Sequence, residues 1–296
     1  MCQASLHLGA GPDVETRPAL RPMPAPPDDP AAEIARLAAL TDGPTPTASG
    51  AAPRPSGYFD VTRTATYGYL AALPLFALYE VGVLLANSGP GQIRVGADVW
   101  LKSLLAVLGG TGFAALGVAV VAIGGVVWWR ERFSRPSLVA RYFGGIIAES
   151  LVYAVVLAVL VGGVVQALFG AWVLPDAAMA QMARLGLGLQ LALSIGAGLY
   201  EELVFRVLLV GGLFWILRRA AGLSRPRGYL VAAVVGAVVF SAVHHIGPLG
   251  DPFALSVFTF RFLFGLALNA VFLVRGFALA AWTHALYDVL VVTGGL

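Results

Sequence analysis

Apolar residues fall into seven long blocks separated by short polar connections. They cover Ala65–Ala86, 104–129, 144–169, 185–217, 229–245, 253–274 and Phe277–Val292. Each comes near the ~20 residues that a bilayer's hydrocarbon core demands of a helix. Gly and Ala recur throughout the blocks, which suits close helix packing in lipid. A short interfacial helix over 98–107 brings the count to eight. The pattern predicts an all-α protein, a polytopic membrane bundle of 7–8 transmembrane helices.

Residues 1–57 carry no such block. They hold eleven of the 18 prolines, and the run from Arg21 to Pro30 can be neither helix nor central strand. This stretch reads as a disordered Pro/Ala-rich tail with at most a short helical turn over 31–40. It has no apolar core of the length a secretory signal needs. The domain reading is therefore a tail, 1–57, and a transmembrane domain, 58–296.

Composition sharpens this picture. The chain is 58% hydrophobic and 12% charged, with mean hydropathy +0.82, whereas soluble domains carry about 25% charged residues. Arginines alternate between connections. Arg130, Arg132, Arg135 and Arg141 follow the second block, Arg218, Arg219, Arg225 and Arg227 the fourth, and Arg275 the sixth. The positive-inside rule then puts the N-terminus in the cytoplasm and, with seven spans, the C-terminus outside. Net charge is +3; the arginine flanks explain it, so nothing points to nucleic acid. Cys2 is the lone cysteine, which rules out an intrachain disulfide framework and a cysteine metal cluster.

Charges inside the fourth block change the question from fold to function. Glu201, Glu202 and Arg206 lie within six residues of one apolar segment, and each charge at the centre of a bilayer helix costs about 2.5–3.5 kcal/mol. On a helix Glu202 and Arg206 stand four apart, acid first, the better order for an ion pair. Glu201 points about 100° away and is free for another partner. Three of the four histidines, His244, His245 and His284, lie in or beside the late blocks. Phe240 and His244 are one turn apart, as are His284 and Asp288. Polar groups in lipid seek one another or water, so one shared cavity lined by Glu201, Glu202, His244, His284 and Asp288 is expected. Counted at about 1.5 Å per residue, Glu201 and His244 stand about 25 Å from the inner basic flank and His284 about 13 Å from Arg275. Convergence thus requires a tilted helix or a recessed Arg275 turn. His245 faces elsewhere, Glu149 and Arg261 are structural or rim charges, Glu80 is interfacial, and Asp251 is a turn residue.

Such a cavity has the chemistry of peptide-bond hydrolysis. A carboxylate in a low-dielectric site serves as general base on water. Imidazoles position that water, donate to an oxyanion or ligate a metal. No covalent nucleophile is placed for the task, and the H-E-x-x-H zinc-protease signature is absent.

The ordered set Glu201-Glu202-x-x-x-Arg206, then Phe240-x-x-x-His244, then His284-x-x-x-Asp288 resembles the CPBP family. These are the CAAX-prenyl-protease and bacteriocin-processing intramembrane proteases, also called Abi proteins. The resemblance covers roughly 140–296. It implies a bundle of about eight membrane helices that cleaves a membrane-associated protein or peptide. It implies that Glu201 activates water with His244 beside it, that His284 and Asp288 support the oxyanion or water, and that Glu202 and Arg206 shape the site. A divalent metal such as zinc is the implied cofactor, with Glu201, His244, His284 and Asp288 as candidate ligands. The chain departs from the family pattern at Val207, where glycine is common, and at Asp288, where asparagine is common. Asparagine can donate to an oxyanion; Asp does so only when protonated, and is the better metal ligand. Two other classes remain in view: a transporter or proton relay, which also uses buried Glu, His and Arg, and an inactive membrane scaffold of the same family.

Overall fold

A computed structural model describes residues 57–87, 92–107, 112–134, 136–170, 184–247 and 250–296. The expected tail, Gly57 apart, and the turn over 31–40 lie outside the described residues. All regular structure among the described residues is helical. In order these are α1 (Tyr58–Thr62), α2 (Ala65–Ala86), α3 (Gly96–Val107), α4 (Gly112–Glu131), α5 (Ala140–Phe169) and α6 (Leu187–Gly196). A π-helical segment (Ala197–Val210) follows, then α7 (Gly211–Arg219), α8 (Arg225–Val243), α9 (Leu255–Arg275) and α10 (Phe277–Val292). By length and composition five helices can cross a membrane: α2, α5, α8, α9 and the Ala114–Glu131 part of α4. The unbroken helical run 187–219 and the shorter apolar α10 occupy the places of the other two expected spans.

One boundary differs from expectation. The block at 104–129 is not a single helix, because its first residues belong to α3. Asp98 and Lys102 explain this, since Asp98 accepts from the Tyr79 hydroxyl and Lys102 pairs with Glu80, both on α2, and so hold α3 against the bundle. Glu80 is consequently buried within the protein, at 7% exposure. Its carboxylate meets Lys102 Nζ at 2.7 Å, Arg94 Nη1 at 3.1 Å and the Tyr200 hydroxyl at 2.9 Å.

α10 is the hub. It packs against α2, α5, α6, α9 and the π-helical segment, and buries Ala278, Ala280, Ala281 and Ala285. Small side chains allow backbones to approach in lipid, where no hydrophobic force holds helices together. Gly198 completes this seam: a Cβ there would meet the Ala281 carbonyl and the Ala285 backbone at 2.5 Å. α9 and α10 are joined by Gly276 alone, with φ 86°, a conformation that favours glycine. Arg275 is 4% exposed, lies over the rings of Tyr58 and Phe59, and grips Glu149 through Nε at 2.6 Å and Nη2 at 2.8 Å. Glu149 also accepts from Tyr58 and Tyr153, so it is a structural charge. α1 thus caps the α9–α10 joint, and His284 enters the bundle two turns beyond it.

Candidate active site

The segment bearing Glu201, Glu202 and Arg206 is π-helical rather than the expected α-helix. Such helices close i→i+5 bonds, are rare, and cluster at functional sites. Here the Gly211 N–H reaches the Arg206 carbonyl five residues back. The wider turn makes both i+4 and i+5 neighbours, so Arg206 sits below Glu202 and within electrostatic reach of Glu201. Nothing in the residue types of 197–210 announces this form; the Gly198 contact with α10 is its visible companion.

Glu202 and Arg206 form the sealed floor, at 0% and 1% exposure. Glu202 Oε2 stands 3.0 Å from Arg206 Nε, in contact but without hydrogen-bond alignment. The guanidinium lies 4.5 Å from the centre of the Phe240 ring, a favourable place for a desolvated cation. Glu202 Oε1 faces His284 Nδ1 at 2.8 Å. An ionised carboxylate only accepts, so Nδ1 carries the hydrogen. The other ring nitrogen, Nε2, then looks toward Asp288 Oδ2 at 3.6 Å.

His244 is wired the same way. It sits in the turn just past α8 rather than inside the helix. Its Nδ1 lies 2.6 Å from the Phe240 carbonyl, which can only accept, so Nδ1 is again the donor. Nε2 faces Glu201 Oε2 at 3.7 Å. That distance exceeds a direct hydrogen bond and suits two groups that share a water. The two half-sites meet at Phe240, whose ring centre is 4.8 Å from that of His244 and 6.1 Å from that of His284. Exposure divides them by role: the side chains of Glu201, His244 and Asp288 are 15%, 24% and 28% exposed, whereas His284 is 6% exposed.

The structure thus brings together all six residues singled out in the sequence, as two histidine–carboxylate pairs over a sealed ion pair. One further residue escaped sequence reasoning. Asp251 is not a plain turn residue: it is buried and pairs with Arg261. Its N–H donates to the His244 carbonyl at 2.8 Å. A buried acid ten residues before a membrane-embedded arginine was the available signal. His245 faces away from the histidine pairs, against Asp251 and the rings of Phe253 and Phe258.

The four candidate metal ligands stand as two separate pairs. Among the described residues no group of three His, Cys, Asp or Glu side chains is placed to hold one ion. This donor arrangement does not fit a metal centre as it stands, and no step below is routed through one.

Residues 183–290 match the family model described as type II CAAX prenyl endopeptidase Rce1-like. That region, similar to the Rce1-like domains of the CPBP/CAAX protease family, holds all six residues. No curated relative and no solved structure matches the chain.

Proposed function

We propose that the protein is an intramembrane endopeptidase in which Glu201 is the general base. A water held between Glu201 and His244 Nε2 gives its proton to Glu201, and its oxygen adds to the scissile carbonyl carbon. His284 Nε2, when protonated, is the donor nearest the far side of Phe240 for the developing oxyanion, and Asp288 steadies that ring. The C–N bond then breaks as Glu201 returns its proton to the leaving amine. Peptide and water become a carboxylic acid and an amine, with no residue left covalently altered. Glu202 and Arg206 stay sealed and hold His284 and the segment in place.

The observation that carries this reading is the shared wiring of the histidines. Each is anchored through Nδ1 and leaves Nε2 facing a partly exposed carboxylate at 3.6–3.7 Å, beyond direct hydrogen-bond length. The charges outside the site support it over a transport path. Glu80, Asp98, Arg94 and Lys102 pair among themselves, as do Glu149 and Arg275, so they form closed clusters rather than a relay across the bilayer. The substrate is a membrane-associated peptide, and the Rce1-like match makes a prenylated CAAX peptide the first probe. The purified protein in lipid should release the C-terminal fragment of that peptide. Glu201→Gln should slow release by about 10²–10⁴-fold, the usual worth of general-base catalysis. Cleavage by Glu201→Gln at the wild-type rate sinks the mechanism.

A further inference from the structure

Arg261 belongs to neither histidine pair, yet its surroundings tie it to both. α9 turns Phe260 and Phe264 toward α10. The Phe264 ring centre lies 4.4 Å from that of Tyr287 and 5.8 Å from that of His284, and Phe260 lies 6.3 Å from Tyr287. Arg261, three residues before Phe264, shares that side of the helix. Its charge acts on Tyr287 and on Asp288. Its Nη1 pairs with Asp251 Oδ2, the two side chains being only 12% and 6% exposed. Asp251 in turn holds the turn that carries His244, through its N–H to the His244 carbonyl at 2.8 Å and its own carbonyl to His245 Nδ1 at 3.1 Å.

A plain structural pair would end at Asp251. The site, however, sets three carboxylates, Glu201, Glu202 and Asp288, against Arg206 in low-dielectric surroundings. Like charges so placed oppose one another strongly. Arg261 brings a second cation, seated on Asp251, within electrostatic reach of Asp288.

We propose that Arg261 is a positioning residue for the reaction: through Asp251 it fixes the turn that presents His244, and its charge steadies Asp288 beside His284. The proposal rests on the hydrolase reading above. Its test compares Arg261→Gln, Arg261→Lys and the exchanged pair Asp251→Arg/Arg261→Asp with wild type, in kcat, KM and Tm, on one prenylated peptide. Arg261→Gln should lower kcat by about 10–100-fold, the usual cost of losing an outer partner of a site, with KM within about twofold of wild type. Arg261→Lys should recover most of that loss, since it restores the charge. The exchanged pair should regain Tm, because the ion pair re-forms, and stay as slow as Arg261→Gln, because a carboxylate then stands where the cation acted on Asp288. A Gln variant at wild-type kcat overturns the proposal. So does an exchanged pair that recovers kcat together with Tm, which would mark a purely structural pair. Should Arg261→Gln fail to fold, the Lys and exchanged variants carry the same test. A wild-type protein that cleaves no such peptide removes the hydrolase reading and this proposal together; unaffected variants of an active wild type remove this proposal alone.

Discussion

Glu202→Gln separates the sealed floor of the site from its reachable rim. Glu202 is fully buried and serves two basic partners, Arg206 Nε at 3.0 Å and His284 Nδ1 at 2.8 Å. The amide keeps the size and still accepts from His284. With its one oxygen so used, it turns its NH2, a donor, toward Arg206, and the guanidinium loses its contacting countercharge at 1% exposure. Removing one partner of a buried pair costs about 3–5 kcal/mol. At about 2–4 °C per kcal/mol for a domain of 150–250 residues, that is a fall in Tm of about 6–20 °C. Glu201→Gln differs. Glu201 is partly exposed, its nearest basic atom is 3.7 Å away, and Oε2 makes no hydrogen bond among the described residues. Its loss as a charge should move stability by no more than about 1 kcal/mol, while the rate collapses. Both variants are purified in one detergent, melted under one protocol and assayed on one peptide. Superimposed melting curves, or a Glu201→Gln variant as unstable as Glu202→Gln, would refute the assignment of floor and rim.

Three other outcomes follow from the same geometry. Gly198→Val places a side chain against the Ala281 carbonyl and Ala285 backbone, so it should lose both folded protein and activity, by at least the ~1–3 kcal/mol of ordinary overpacking; Gly212→Val, at a position with nothing within 4 Å, should melt like wild type. Because the candidate ligands stand as two pairs, activity should survive dialysis against a strong chelator; loss of activity that zinc alone restores would show that a metal draws the pairs together. Truncation at Ser56 should leave detergent-stable helical protein, since residues 1–57 lack apolar periodicity; aggregation of the truncated protein on size-exclusion chromatography would contradict that.

The parts legible in the sequence are those fixed by local physics. Bilayer thickness sets helix length, and α2 and α10 occupy the residues their apolar blocks delimit. The i, i+4 rule found the Glu202–Arg206 and His284–Asp288 pairs. What stayed hidden depends on long-range packing. The π form of 197–210 has no signature in residue type, because it accompanies the close approach of Gly198 to α10. The partners of Glu80, Arg94 and Lys102, were hidden because they come from a connection and a short helix whose docking against α2 hydropathy does not reveal. Asp251 looked like a turn residue because an Asp before Pro usually is one; its role shows only when α9 folds Arg261 back upon it.

Helices outside the matched region 183–290 reach the site through Tyr200. Its hydroxyl donates to Glu80 at 2.9 Å, its ring meets Tyr79 edge-on with centres 5.1 Å apart, and the Tyr79 hydroxyl donates to Asp98 at 2.8 Å. Arg94 and Lys102 balance Glu80 and Asp98, so the cluster is neutral and closed. A buried set of this kind adds little net stability over well-packed apolar residues. Its value lies in direction. Apolar contacts in lipid tolerate a helix that rolls about its axis, because every lipid-facing side chain remains in hydrocarbon. Rolling the π-helical segment would strand the Tyr200 hydroxyl and take from Glu80 Oε1 one of its two donors, leaving Lys102, a cost of about 1–3 kcal/mol. Glu201 follows Tyr200 in the chain, so the single rotation that satisfies Tyr200 is the one that aims Glu201 at His244. The charges on α2 and α3 therefore act on the site without touching it, by removing the rotational freedom that packing alone would leave.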